Sequence, residues 1–218
     1  MRIIEQSWQF EEEIDSDKIL KKIEAAGRTC WKSEDKCTDN SAGTFISNIM
    51  SKNHESVIEH HSITVRIITD RGVTHELVRH RLASYSQEST RYCNYSKDKF
   101  GNEITVILPV EFRQVHEGTL VEPNPDLVAQ YHAWLEGMEA AQVNYFKMLN
   151  NKATAQLARS ILPNSLKTEI VVTMNMRSWR HFFELRASAA AHPQIRALAK
   201  DMLTEFKAKI PVIFDDLT

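Results

Sequence analysis

The sequence predicts one compact α+β domain. Two observations carry this expectation. Stretches of alternating apolar and polar residues, rich in β-branched side chains, are interleaved with stretches whose apolar residues recur at helical spacing. The apolar share, 42% of 218 residues, is that of a globular chain long enough to bury a sizeable core. No internal repeat, low-complexity tract or obvious linker divides the chain.

Residues 1–10 read as a short strand with Ile3 and Ile4 near its start. A helix begins near Asp15, with Ser16 or Asp17 as cap, and carries Ile19, Leu20 and Ile23 on one face before Gly27 near its end. A second helix spans Thr44–Lys52. The alternation in HSITVRIITDRG makes His61–Gly72 a strand, and helical spacing returns over Thr74–Ala83. Asn102–Leu108 reads as another short strand. Pro109, Pro123 and Pro125 punctuate a loop-rich stretch, followed by a long amphipathic helix, Asp126–Asn151. A shorter helix, Ala153–Ile161, stops before Pro163. TEIVVTMNM (Thr168–Met176) is strand-like, and two helices, Ser178–Ala190 and Pro193–Lys207, finish the chain.

The formal net charge of −2 argues against a protein that binds polyanions over its whole surface, so anion recognition must come from local clusters. The longest apolar runs fall short of the roughly 20 residues that a membrane span needs. The opening MRIIEQSWQFEEEI has no apolar stretch ahead of a small-residue cleavage site, so no secretory leader is expected. Cys30, Cys37 and Cys93 form no metal-like spacing and read as free thiols, which favours the cytoplasm.

Two clusters are basic. RHRLASYSQESTR (Arg79–Arg91) holds three arginines, a histidine, three serines and a threonine against one acid. On a continuous helix Arg79 and Arg81 would stand about 160° apart, so either the helix breaks there or the two serve different groups. The hydroxyl-rich run that follows suits phosphate oxygens, with Arg91 as a bidentate donor. The bland alternative is a solvated charge run at a helix end. Ser89 as a nucleophile would need a base and an orienting partner that spacing does not supply.

The second cluster lies in MRSWRHFFELRASAA, where Trp179, Phe182, Phe183, Arg186 and Ala190 share a helical face. A guanidinium on that aromatic side requires a buried acid, a ligand or a route to water. Arg177 and His181 lie one turn apart on another face. The dense histidines of HESVIEHH, His54 to His61, do not stack as an i, i+4 pair at His54 and His60, so no metal site is expected there.

The stretch Arg79–Arg91 resembles the signature of the flavin-dependent thymidylate synthases, Arg-His-Arg-x-x-Ser followed after four residues by Ser-x-Arg. Arg79, His80, Arg81, Ser84, Ser89 and Arg91 fill every fixed position. HESVIEH (His54–His60), LARSILP (Leu157–Pro163) and NMRSWRHFFELRAS (Asn175–Ser188) resemble further elements of that family, while the first fifty residues match loosely. The resemblance implies an α+β fold with a central, mostly antiparallel sheet flanked by helices. It further implies a homotetramer with FAD and deoxyuridine monophosphate (dUMP) bound where subunits meet, and a single catalytic domain over residues 1–218. By position, Ser56, Arg79, His80, Arg81, Gln87, Asn175, Arg177 and His181 would bind FAD. Glu76, Arg79, Gln87, Glu88, Ser89, Thr90, Arg91, Arg159 and Arg186 would hold dUMP, with Arg186 also catalytic.

Ser56 stands where the family often has threonine, Glu76 where it has glutamine, Gln87 where it has glutamate, and His181 where asparagine occurs. No function is carried past Arg186, because AAAHPQIR lacks the usual sequence. The implied reaction is reductive methylation of dUMP to dTMP, with 5,10-methylenetetrahydrofolate as one-carbon donor and NADPH as reductant through FAD. Arg186 would favour the N3-deprotonated, enolate-like uracil and so activate C5. Two rival readings remain: a nucleic-acid-binding module using the arginines with Tyr85, Tyr92 and Tyr95, and a metal-dependent nucleotide hydrolase.

Overall fold

The computed structural model describes residues 1–119, 122 and 124–218, with Lys99 described by its backbone alone. Pro123, expected to punctuate the loop before the long helix, lies outside the described residues. The elements in chain order begin with β1 (Arg2–Ile4), β2 (Ser7–Phe10), α1 (Ser16–Arg28) and α2 (Ser41–Met50). A 3-10 turn, Glu55–His60, then leads into β3 (Ser62–Asp70), α3 (Arg71–Leu77), β4 (Ala83–Gln87), β5 (Thr105–Ile107) and α4 (Arg113–Glu117). The second half holds α5 (Pro125–Asn150), α6 (Ala155–Ala158), β6 (Lys167–Asn175), α7 (Met176–Arg186), α8 (Pro193–Lys209) and α9 (Pro211–Phe214).

The main sheet has the order β2-β3-β6-β4 and is antiparallel. The hydroxyls of Thr64 and Thr173 meet at 3.0 Å, and Arg71 N–H donates to Asn164 O at 2.9 Å, so numbers rise along one strand as they fall along the other. Burial alternates strictly along β3 and β6, the period-2 pattern of a strand with one face packed. Their buried residues are Ile63, Val65, Ile67, Thr69 on β3 and Thr168, Ile170, Val172, Met174 on β6.

The expected single strand over residues 1–10 is two strands in two sheets. β1 pairs in parallel with β5, Ile3 opposite Val106, whereas β2 joins the main sheet. Polar Glu5 and Gln6 interrupt the run, and a parallel partner far along the chain leaves no local sequence signal. The expected helix over Thr74–Ala83 is also corrected: α3 begins at Arg71 and ends at Leu77, and a turn through residues 78–82 leads into β4.

The chain divides into two compact units, one of Met1–Ser7, Ile67–Leu77 and Ser86–Ile170, the other of Trp8–Arg66, Val78–Tyr85 and Val171–Thr218. In the first, Asn124 caps α5 by accepting from Leu127 N–H at 3.1 Å, and Pro125 supplies a helix-ready first residue. The helix then buries Tyr145 completely among Tyr95, Ile104, Val106, Ala158 and Leu166. The Tyr145 hydroxyl is not stranded by this burial, for it accepts from Tyr95 N–H at 3.3 Å.

In the second unit, Trp179, Phe182 and Phe183 of α7 are fully buried with Phe206 of α8 and Phe214 of α9. Trp179 and Phe206 have ring centroids 5.3 Å apart, and the Trp179 indole donates to Ile63 O at 3.1 Å. Arg180 shares this helix yet is only 5% exposed. Its two terminal nitrogens donate to the Ile213 carbonyl and to both carboxylate oxygens of Asp216, whereas the buried Nε has no hydrogen bond and lies 3.4 Å from Glu55. Gly27 lies against α2: a Cβ there would stand 2.7 Å from both Phe45 and Val57, closer than packed atoms allow.

Candidate functional site

The second unit contains a cleft of about 730 Å³ built from three pieces of chain. The turn after α3 supplies Arg79, His80, Arg81 and Leu82; the 3-10 turn supplies Glu55 and Glu59; α7 supplies Asn175 at its start through Arg186 at its end. Of the FAD residues named from sequence, Arg79, His80, Arg81, Asn175, Arg177 and His181 line it together, joined by Arg186. Ser56 is exposed on the same 3-10 turn but is not part of the lining. Gln87 lies in the other unit.

Local chemistry explains the placement. Asn175 caps α7: its side-chain oxygen accepts from Ser178 N–H at 2.8 Å, which satisfies one of the helix's open donors. The helix therefore starts two residues before the expected Ser178, which aligns Arg177, His181 and Glu184 along the cleft-facing side. Because α3 stops at Leu77, Arg79 and Arg81 belong to an irregular turn rather than opposite faces of a helix. Tyr85 closes that turn by donating its hydroxyl to His80 O at 2.7 Å. Burial of the phenol pushes its pKa up to about 12, so it remains a donor at neutral pH.

The cleft is rich in charge of both signs, unequally committed. Arg177 donates to Glu59 at 2.7 Å and lies 3.5 Å from Glu55. Arg79 and Arg81 are exposed and have no acidic partner among the described residues. Arg186 ends the aromatic face of α7 half-buried, and its Nε donates to His80 Nε2 at 3.1 Å. The requirement set by its position is met here by a neutral imidazole, a partner that spacing did not suggest.

That imidazole is held neutral. Burial first, then the positive charges of Arg186 and His181, pull the His80 pKa down to about 4 from an ordinary 6.5. Since the folded value is depressed, its neutral form is compatible with folding above pH 6.5, and stability falls as pH drops from there toward about 4. We expect the His80 ring signals in a proton NMR titration to stay unprotonated at pH 5.5. A midpoint near the ordinary value would contradict the Arg186–His80 contact.

The residues assigned to the nucleotide fall mainly in the first unit: Glu76, Gln87, Glu88, Ser89, Thr90, Arg91 and Arg159. Arg91 and Arg159 are exposed, whereas Thr90 is buried. Arg91 rests over the Tyr92 ring at 5.3 Å. Ser89 Oγ accepts from Arg91 N–H at 3.3 Å, a turn contact rather than an activated nucleophile. The Gln87 amide donates to the hydroxyls of Thr74 at 3.0 Å and Thr168 at 3.2 Å, which fixes its orientation.

Sequence reasoning missed Glu55, Glu59, Ser178, Arg180, Glu184, Leu82 and Leu185 of the lining. The glutamates were visible inside HESVIEH, four residues apart, but nothing local revealed that Arg177, far along the chain, would answer them.

The family described as thymidylate synthase complementing protein matches residues 14–212. A flavin-dependent thymidylate synthase of Mycolicibacterium gilvum is 36% identical over 220 residues, covering 93% of this chain and 81% of that protein. Another, from Geobacter sulfurreducens, is 36% identical over 203 residues, covering 89% of this chain and 80% of the relative. The chain belongs to the flavin-dependent thymidylate synthase family.

The family match starts at residue 14, ahead of the first motif recognised at His54. The UMP/dUMP methylase PolB of Streptomyces cacaoi, in its complex with 5-Br dUMP, shares the fold at a TM-score of 0.78 and 22% identity, covering 99% of this chain and 96% of that one. As a flavin-dependent thymidylate synthase the chain is an FAD enzyme of dTMP synthesis. Its cleft fits a flavin dinucleotide in chemistry: exposed Arg79 and Arg81 suit phosphate oxygens, while Asn175, His80 and His181 offer polar contacts beside apolar Leu82 and Leu185. No helix among the described residues is long and apolar enough to cross a membrane.

Proposed function

We propose that FAD occupies the second unit's cleft, held by Ser56, Arg79, His80, Arg81, Asn175, Arg177 and His181 with Gln87, and that dUMP is held by Glu76, Arg79, Gln87, Glu88, Ser89, Thr90, Arg91, Arg159 and Arg186. The observation that carries this reading is the pair of exposed guanidiniums, Arg79 and Arg81, which line a flavin-sized cleft and have no acidic partner among the described residues. FAD, when bound, supplies hydride transfer between NADPH and the one-carbon unit brought by 5,10-methylenetetrahydrofolate. The chain's own residues bind, orient and polarise.

Arg186 is the polarising group. With His80 neutral, the fixed positive charge at this end of α7 is that of Arg186, and its Nε is oriented by the imidazole. In a half-buried setting such a cation favours the enolate-like uracil, which raises the nucleophilicity of C5. No cysteine nucleophile is required. Cys93 packs against the core around Tyr95 and Tyr145, a structural position.

The 218 residues act as one catalytic domain in a cytoplasmic homotetramer with inter-subunit sites. Exposed large apolar side chains within the site segments support the assembly: Leu82 at 81%, Tyr92 at 75% and Leu157 at 57%. Formation of dTMP from dUMP, 5,10-methylenetetrahydrofolate and NADPH, dependent on FAD, tests the reading. Turnover by a protein freed of flavin would refute it.

A further inference from the structure

Glu88 sits inside the hydroxyl-rich signature, yet its carboxylate is not presented to solvent. The side chain is 13% exposed. One oxygen accepts from the Tyr95 hydroxyl at 3.0 Å and the other from Lys167 Nζ at 2.9 Å. Its backbone N–H is tied to Glu169 O at 2.8 Å. All four residues belong to the first unit.

These contacts have a particular topology. Ser89, Thr90 and Arg91 form a tight turn in which Ser89 O accepts from both Tyr92 N–H at 3.0 Å and Cys93 N–H at 2.9 Å. Glu88 precedes this turn and Tyr95 follows it, so the Glu88–Tyr95 bond joins the two ends of the segment. Tyr95 is in turn anchored, 5% exposed, with its backbone N–H on the Tyr145 hydroxyl of α5. Lys167, at the start of β6, adds charge to the same clasp and lies 3.6 Å from Glu169. A loop of a few polar residues has little stiffness of its own, and a bond across its ends removes much of its freedom.

We propose that Glu88 is a positioning residue: with Tyr95 and Lys167 it clasps the Ser89–Arg91 turn in the shape that receives the nucleotide phosphate, instead of touching the nucleotide itself. This rests on the proposed role of Arg91 and its neighbours toward dUMP and revises it at Glu88 alone, whose part in holding dUMP is through the turn and not by direct contact. The clasp is worth most before binding, since a preorganised turn spares the ligand the cost of ordering it. Its loss therefore appears in KM for dUMP rather than in the chemical step.

The test compares Tyr95→Phe, Lys167→Met, Glu88→Gln and Glu88→Ala in the full-length holoenzyme, with Arg91→Ala as control, measured well below each melting temperature. Tyr95→Phe removes one hydroxyl and keeps the buried ring, and Lys167→Met keeps the stem. Both are expected to raise KM for dUMP about fivefold, the loss of roughly one hydrogen bond, with kcat within about twofold. Glu88→Ala should raise KM further, and Glu88→Gln, which retains an acceptor for Tyr95, should recover part of the loss. If Arg91→Ala and Glu88→Ala raise KM while Tyr95→Phe and Lys167→Met do not, Glu88 touches the nucleotide directly and the clasp is refuted. A lowered melting temperature with unchanged KM in the clasp variants likewise reduces it to a fold contact. If Arg91→Ala leaves dUMP binding intact, the nucleotide assignment itself falls and the clasp with it.

Discussion

Replacing Arg186 with alanine is expected to lower turnover by about 10²–10³-fold, the scale of losing one preorganised charge-stabilising donor. FAD content should survive, because Arg79, Arg81 and Arg177 remain in the cleft. The visible spectrum should still respond to dUMP, since the other nucleotide residues are untouched. A second readout separates this role from general damage: Arg186 contributes to the depressed pKa of His80, so the titration of His80 should move upward in the variant. Arg186→Lys keeps the charge but not the planar fork that meets His80, and should recover only a small part of the activity. Unchanged turnover in Arg186→Ala would remove Arg186 from the chemistry.

The largest effect on stability is expected elsewhere on α7, at Arg180. Arg180 is almost fully buried while Asp216, its partner, has a side chain 64% exposed. The two ends of the pair are therefore unequal. Asp216→Ala leaves a buried guanidinium with the Ile213 carbonyl as its remaining hydrogen-bond acceptor among the described residues and with Glu55, whose oxygen is 3.4 Å from Nε. We expect a loss of about 2 kcal/mol, reduced from the larger cost of a wholly buried pair because solvent reaches Asp216. Arg180→Met should cost less, since the carboxylate it leaves behind is hydrated, and the double variant should match Arg180→Met rather than the sum. The pair also sets an acid limit. Arg180 holds the Asp216 carboxyl below its ordinary 3.8, so its contribution is present above that pH and is lost as acid protonates the folded carboxylate. Denaturant melts of the three variants check both statements, and an Asp216→Ala protein as stable as the parent would contradict them.

The elements legible in the sequence are those whose pattern is local. The alternation of SITVRIITD and of KTEIVVTMN marks β3 and β6, and the amphipathic pattern of Asp126–Asn151 marks the long α5, because burial of one face leaves a period in the residues themselves. β4 escaped: ASYSQ alternates only through Ala83 and Tyr85 and has no β-branched residue, and its strand character comes from pairing with β6. The same holds for β1, three residues whose partner is β5. Helical spacing beyond Leu77 misled for a related reason, since Val78 and Leu82 are exposed and anchor no helix by burial.

In the site, charge and motif were legible and partnership was not. Arg79, His80 and Arg81 announce themselves within one short stretch, and their resemblance to a family signature named the ligands. That Arg186 would find His80, 106 residues away, depends on how α7 meets the turn after α3. Glu88 is the clearest instance. Its place in the signature suggests a ligand contact, and only Tyr95 and Lys167 reveal where its carboxylate goes.

The most direct measurement is the visible absorption spectrum of the purified protein, recorded before and after adding dUMP. A flavin spectrum that shifts on addition of the nucleotide is the predicted result, because FAD and dUMP are assigned overlapping residues, Arg79 and Gln87. A protein that stays colourless when supplied with FAD, or whose bound flavin is indifferent to dUMP, would contradict the account.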